Sequence, residues 1–145
     1  MEPFSMALQL RWSDLDPNFH LRHSVYYDWG ALCRVQFLNQ YGLTADVMSR
    51  IKVGPILFRE ECVFRKEVRS GDLVSIDLKL LKAKADFSRW SIQHQIIKAE
   101  TTVAALLTVD GAWLDLAQRK LSTPPETVHA VFDKMPRSDH FEWIG

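Results

Sequence analysis

Two carboxylates and two imidazoles fall within ten residues of one another, at Asp14, Asp16, His20 and His23. The stretch from Arg11 to Trp29 reads RWSDLDPNFHLRHSVYYDW, and its polar half runs directly into a segment of helical spacing. A helix start carries unpaired N–H groups and partial positive charge, so it can receive a developing oxyanion. A carboxylate beside such a start is placed to attack a carbonyl held there, or to activate a water against it.

The rest of the chain bounds what that cluster can be. At 145 residues it is expected to form a single domain, residues 1–145, with a core that needs no disulfide or metal staple. Eighteen basic residues balance eighteen acidic ones, so nucleic acid, which asks for a basic excess, is not expected as a partner. The first residues lack a basic segment followed by an apolar run, and no apolar stretch is long enough to span a bilayer. A cytoplasmic location away from membranes is the expectation. Cys33 and Cys62 have neither metal nor redox spacing and are expected as reduced, buried thiols. His20 and His23 form an H-x-x-H pair, too little by itself for a metal site, and no metal or cofactor is expected.

Partial alternation over residues 4–12 predicts a first strand, and residues 13–23 a polar loop. Ser24 is the expected cap of a helix running to about Tyr41, with Gly42 as its stop. Tyr26, Trp29, Gly30, Cys33, Phe37 and Tyr41 share one face of it. Gly30 costs helix propensity, about 1 kcal/mol relative to Ala, which a close crossing over another element would explain. A second turn of helix is expected over residues 44–50.

From Gly54 the period becomes two. Strands are expected from Gly54 to the Ser70-Gly71-Asp72 turn, over residues 74–80, over residues 90–96 and over residues 101–116. The last is apolar on both phases, as for a strand buried on two sides, and Gly111 is a candidate bulge in it. Thr123 to Glu126 has the form of a capping box opening a short helix that ends before Pro136. One apolar helix followed by an antiparallel meander predicts an α+β fold, with the sheet curled around the helix.

Asp14-Leu15-Asp16-Pro17, followed by His20, His23 and Tyr26, resembles the D-x-D-x-x-G-H-x-x-[NH]-x-x-Y motif of the 4-hydroxybenzoyl-CoA thioesterase-like group of acyl-CoA thioesterases. Ser70-Gly71-Asp72 and Arg119-Lys120 give weaker support. The resemblance implies a hotdog fold, an antiparallel β-sheet wrapped around one long central helix. It also implies hydrolysis of a fatty or aromatic acyl-CoA, and a homodimer or homotetramer whose sheets join edge to edge. Asp16 would be the catalytic carboxylate, as nucleophile or general base. His23, seven residues later, would orient it, position water or protonate the leaving thiolate. A hotdog dehydratase or hydratase, and a non-catalytic acyl-thioester-binding module, are the rival readings.

The remaining candidates follow from position. Tyr26 and Tyr27 in the first helical turn are expected to offer backbone N–H groups to the oxyanion. His20 is expected to fix the loop, and Asp14 to structure it by pairing with Arg11 or Arg22. Phe19 stands where the family motif has Gly, so it would narrow the acyl pocket or alter the loop backbone. Glu60 shares the phase of Ile56, Phe58, Cys62 and Phe64. It is either slipped back to solvent by a bulge or a second carboxylate of the site. Arg65, together with Lys66, Arg69, Arg119 and Lys120, is a candidate contact for the phosphates of coenzyme A.

Overall fold

The apolar stripe of the long helix is what the other elements fold around. The computed structural model describes residues 1–145. Helix α1 (His23–Gln40) buries Val25, Tyr26, Trp29, Gly30, Cys33, Phe37 and Leu38. A short helix α2 (Ala45–Ile51) follows, capped by Thr44 Oγ1 accepting from the Val47 N–H at 3.3 Å. The strands are β1 (Ser5–Leu8), β2 (Val53–Phe64), β3 (Val74–Asp77), β4 (Lys79–Ala83), β5 (Arg89–Lys98), β6 (Thr102–Asp115), β7 (Lys120–Leu121) and β8 (Arg137–Trp143). Helix α3 (Glu126–Asp133) lies between the last two.

Across the sheet, β2 pairs with β6 and β6 with β5. On the far side of β5 lie β3 and β4, end to end, flanked in turn by β1 and β8. All these pairs are antiparallel except β4 with β8. This is the expected hotdog arrangement, a curled sheet around one long helix. Trp29, Cys33 and Phe37 share one continuous core with Ile76, Leu80, Ile92, Leu107 and Val109. Each fully buried large apolar side chain stabilises the fold by roughly 1.5–3 kcal/mol. Gly30 sits where α1 crosses β6, and a Cβ there would overlap Leu107 Cδ2. The close crossing expected from the sequence is therefore present.

Several boundaries differ from expectation, each for a local reason. The first strand ends at Leu8 because Arg11 turns back onto the Asp14 carboxylate, winding residues Trp12–Asp14 into a single 3-10 turn. The expected strand over residues 74–80 breaks at Leu78, where its outer neighbour changes from β1 to β8; Leu78 N–H donates to Phe4 and Leu80 N–H to Pro136. Helix α3 begins at Glu126 after Pro125, and Thr123 is not its cap. Strands β7 and β8 have no counterpart in the sequence pattern. Arg137 fixes β8, donating to the carbonyls of Asp133 at 3.1 Å and Met135 at 2.7 Å, and lies against the rings of Phe141 and Trp143.

The bulge lies in β2, opposite Gly111. Leu57 faces Gly111 while Arg59 faces Asp110, so Phe58 is the extra residue. Before it, Pro55 and Leu57 share the face of Trp113 and Gly111; after it, Glu60, Cys62 and Phe64 share the face of Val109, Leu107 and Ala105. The slip thus turns Ile56 and Phe58 outward and keeps Glu60 on the helix side. Cys33 is buried and Cys62 half-buried, both free, with burial pushing their thiols up to about 12 and about 11. No helix is long and apolar enough to cross a membrane.

Candidate active site

Asp14 builds the loop that carries Asp16. Its buried carboxylate accepts from the Arg11 backbone N–H and Nε through Oδ2, at 2.9 and 3.2 Å, and from Nη2 through Oδ1 at 2.9 Å. The Arg11 hydrogen bond holds that carboxyl below its ordinary range in spite of burial. The Asp14 carbonyl in turn accepts the Arg22 N–H at 2.7 Å, which ties the loop to the residue before α1.

Asp16 closes the loop on itself. Its Oδ1 accepts from the N–H groups of Asn18 at 2.9 Å and His20 at 3.1 Å, the Asx-turn arrangement. Its N–H donates to the His20 carbonyl at 2.8 Å, and its carbonyl accepts the Phe19 N–H at 2.9 Å. One carboxylate oxygen is therefore held by two backbone donors. The other, Oδ2, has no hydrogen-bond partner in the protein.

Phe19 takes φ +64°, the left-handed conformation that glycine adopts freely. A non-glycine residue holds this turn at a cost of roughly 1–2 kcal/mol. The ring is 56% exposed and rests edge-on against Trp12, 6.0 Å between centroids, outside the pocket beside Asp16. It does not narrow that pocket.

The pocket itself is about 380 Å³ and open to solvent. Asp16, His20, His23, Tyr26 and Arg65 all line it, so the fold brings together five of the candidates spread across 50 residues of sequence. Phe64, Lys66, Glu67 and Val68 complete the wall with Leu21. The Leu21 N–H donates to the Val68 carbonyl at 2.7 Å, and this bond draws the two stretches together. Tyr26 stands edge-on to Phe64 at 4.9 Å as part of the wall, and burial pushes its phenol up to about 12.

Glu67 is the member the sequence does not mark out. Its Oε2 lies 3.4 Å from His20 Nε2 and accepts from Arg69 Nη2 at 2.9 Å, which with the nearby imidazole lowers its carboxyl. Nothing in the run Arg65-Lys66-Glu67-Val68-Arg69 separates one exposed charge from the next, because the partner is nearly fifty residues away. No three His, Cys, Asp or Glu side chains are placed to hold a metal ion.

Three candidates stand elsewhere or act through other atoms. Helix α1 starts at His23, with Arg22 as its extended preceding residue, whereas the sequence points to Ser24 as the cap. The Ser24 hydroxyl accepts from Arg22 Nε at 3.1 Å instead. The N–H groups of His23 and Ser24, at the start of the helix, have no protein acceptor, whereas that of Val25 donates to the Arg22 carbonyl at 3.0 Å. Tyr27, fifth in the helix, lies within the ladder and outside the pocket lining. Glu60 faces Arg34 of α1 at 3.9 Å and takes no part in the pocket.

A family model described as the thioesterase-like superfamily matches residues 10–132. Among solved structures, a hypothetical protein of Staphylococcus aureus in complex with CoA superposes with a TM-score of 0.86 at 16% identity, covering 94% of this chain and 87% of its own. A 1,4-dihydroxy-2-naphthoyl-CoA thioesterase from Synechocystis gives 0.80 at 17% identity, covering 92% and 97%. A DHNA-CoA thioesterase from Staphylococcus aureus gives 0.80 at 13% identity, covering 92% and 91%. At such identities the likeness concerns the fold. No curated protein matches the chain in sequence.

Proposed function

The chain belongs to the thioesterase-like superfamily and is by that membership a thioester hydrolase; we propose that its substrate is a fatty or aromatic acyl-CoA and that Asp16 is the catalytic carboxylate. The observation that carries this reading is the free Oδ2 of Asp16 in a 380 Å³ pocket shared with His23, the first residue of α1. The carbonyl oxygen of the thioester would lie against the His23 and Ser24 N–H groups, where the helix start stabilises the charge formed on attack. Asp16 either takes a proton from the attacking water or bonds the carbonyl carbon itself. In both routes the C–S bond breaks, the pair leaves on sulfur, and His23 would supply the proton to the thiolate; where Asp16 bonds the carbon, water then cleaves the resulting mixed anhydride, releasing the acid and restoring the carboxylate. Arg65 and Lys66 on the pocket wall are suited to the phosphates of coenzyme A.

A dimer joined through β2 fits the same picture. That strand pairs only with β6, and its outer edge carries unpaired backbone groups. Leu57, Phe58, Val63 and Phe64 along it are exposed apolar residues. The test is to incubate the protein with a panel of acyl-CoAs and a thiol-trapping dye. Release of free thiol supports the proposal, and its absence across the whole panel overturns it.

A further inference from the structure

Two stretches nearly fifty residues apart run side by side behind the loop that carries Asp16. His20 and Arg69 form an antiparallel bridge, with the Leu21 N–H donating to the Val68 carbonyl at 2.7 Å and the Ser70 N–H to the Phe19 carbonyl at 3.3 Å. Glu67 adds a side-chain link to this ribbon, its Oε2 standing 3.4 Å from His20 Nε2.

The Glu67 carboxylate is itself held. Arg69 donates to Oε2 through Nη2 at 2.9 Å and Nε at 3.3 Å. Arg69 is fixed in turn by the Ser70-Gly71-Asp72 turn, where Asp72 Oδ2 accepts the Arg69 N–H at 2.8 Å and Gly71 takes φ +92°, open to glycine without strain. From the end of β5, Lys98 Nζ donates to the Glu67 carbonyl at 2.5 Å and lies 3.9 Å from Asp72 Oδ2. A turn that the sequence marks out and the pocket does not use therefore leads, through Arg69, to the carboxylate beside His20.

His20 passes that hold to Asp16 through its backbone. Its N–H donates to Asp16 Oδ1 at 3.1 Å and its carbonyl accepts the Asp16 N–H at 2.8 Å, so the two residues are tied twice. Phe19 lies between them at φ +64°, a strained conformation that persists only while the surrounding ties hold it.

We infer that Glu67 is a positioning residue: by pairing with the His20 imidazole it holds the Asp16 turn, and with it the free Oδ2, in place in the pocket. The effect on turnover presupposes Asp16 as the catalytic carboxylate; the effect on the turn does not. Glu67 is more than half exposed, and exposed ion pairs shift an equilibrium by up to about five-fold. A Glu67 that met the substrate instead would act on KM.

Glu67→Gln keeps the size of the side chain and removes its charge. With benzoyl-CoA or palmitoyl-CoA, whichever wild type cleaves faster, kcat is expected to fall by about three- to five-fold with KM within about two-fold. Amide hydrogen exchange at Asp16 and His20 should quicken by the same factor while the amides of α1 exchange as in wild type. His20→Asn, whose side chain ends short of the Nε2 position, should reproduce the loss, and Glu67→Gln added to it should cost nothing more. Equal losses from Glu67→Gln with and without His20, a change confined to KM, or wild-type exchange at Asp16 and His20 overturns the assignment. If wild type releases no thiol from any acyl-CoA, the hydrolase reading falls separately, and the exchange rates of Glu67→Gln still decide its role. They decide it equally if the His20 variant does not fold.

Discussion

Arg34 Nη1 donates to His94 Nε2 at 3.1 Å, across the seam between α1 and β5, and that bond fixes the state of a fully buried imidazole. The other ring nitrogen, Nδ1, lies 2.8 Å from the Asp77 carbonyl, which only accepts, so Nδ1 carries the proton and Nε2 is the acceptor. A second proton on Nε2 would face the guanidinium. Burial first, and then Arg34, push the imidazole down to about 3.

The consequence is an acid-sensitive core. The unfolded chain takes up a proton on this residue below about pH 6.5, while the folded chain holds out to about pH 3. Stability is therefore full above pH 6.5 and falls as the pH drops toward 3, by up to about 1.4 kcal/mol per unit from this group alone. In His94→Gln that limb should flatten while the alkaline side stays parallel to wild type. Urea midpoints measured from pH 3.5 to 8 on both proteins check this. Parallel curves throughout would remove His94 as the source.

Asp16→Asn should separate chemistry from folding. The Asn side-chain oxygen can still accept from the Asn18 and His20 N–H groups, so the loop and melting temperature should hold. The free oxygen is replaced by an uncharged amide nitrogen that cannot accept a proton or attack, and kcat should fall by about 10²–10⁴-fold with KM nearly unchanged. Thiol-release kinetics beside a thermal melt give both numbers. Near-normal kcat in a folded variant sinks the Asp16 mechanism.

How much of this is legible in the letters depends on the range of the interaction. The face of α1 and the close crossing at Gly30 follow from spacing within one helix, and both can be read directly. So can the pairing of Asp14 with Arg11, three residues apart. The bulge at Phe58 cannot, because it answers to Trp90 and Gly111 across the sheet. Nor can the break at Leu78, which exists because β1 and β8 divide one strand's edge between them. The start of α1 departs from the expected position because no side chain caps it: Arg22 precedes it on backbone conformation alone, and a Ser nearby misleads. Glu67 and His20 meet because the Leu21–Val68 and Ser70–Phe19 backbone bonds bring their distant stretches together.

Two glycines in tight quarters should differ in what they tolerate. A Cβ on Gly111 meets the Trp90 ring and the Ile56 carbonyl oxygen, the latter at 2.7 Å, and neither can step aside without moving sheet backbone. Gly111→Ala should cost roughly 1–3 kcal/mol. At Gly30 the obstacle is the end of the Leu107 side chain, and alanine returns about 1 kcal/mol of helix propensity. Gly30→Ala should therefore lower the melting temperature less than Gly111→Ala does. The reverse order would mean that the α1–β6 crossing is more rigid than the sheet.

Phe19 offers the sharpest test of the loop, because its backbone conformation and its side chain make opposite demands. At φ +64° a glycine removes the steric cost of the Cβ, worth about 1 kcal/mol, though the more flexible unfolded chain gives part of that back. All that the glycine gives up is the packing of one exposed ring against Trp12, which is itself 81% exposed. Phe19→Gly should leave the melting temperature nearly unchanged and thiol release within about two-fold of wild type. Phe19→Val puts a β-branched side chain into the same conformation and should strain the turn that presents Asp16. It is expected to reduce kcat with the global fold intact by circular dichroism. Equal activity in the valine and glycine variants would mean that the left-handed turn does not position the carboxylate.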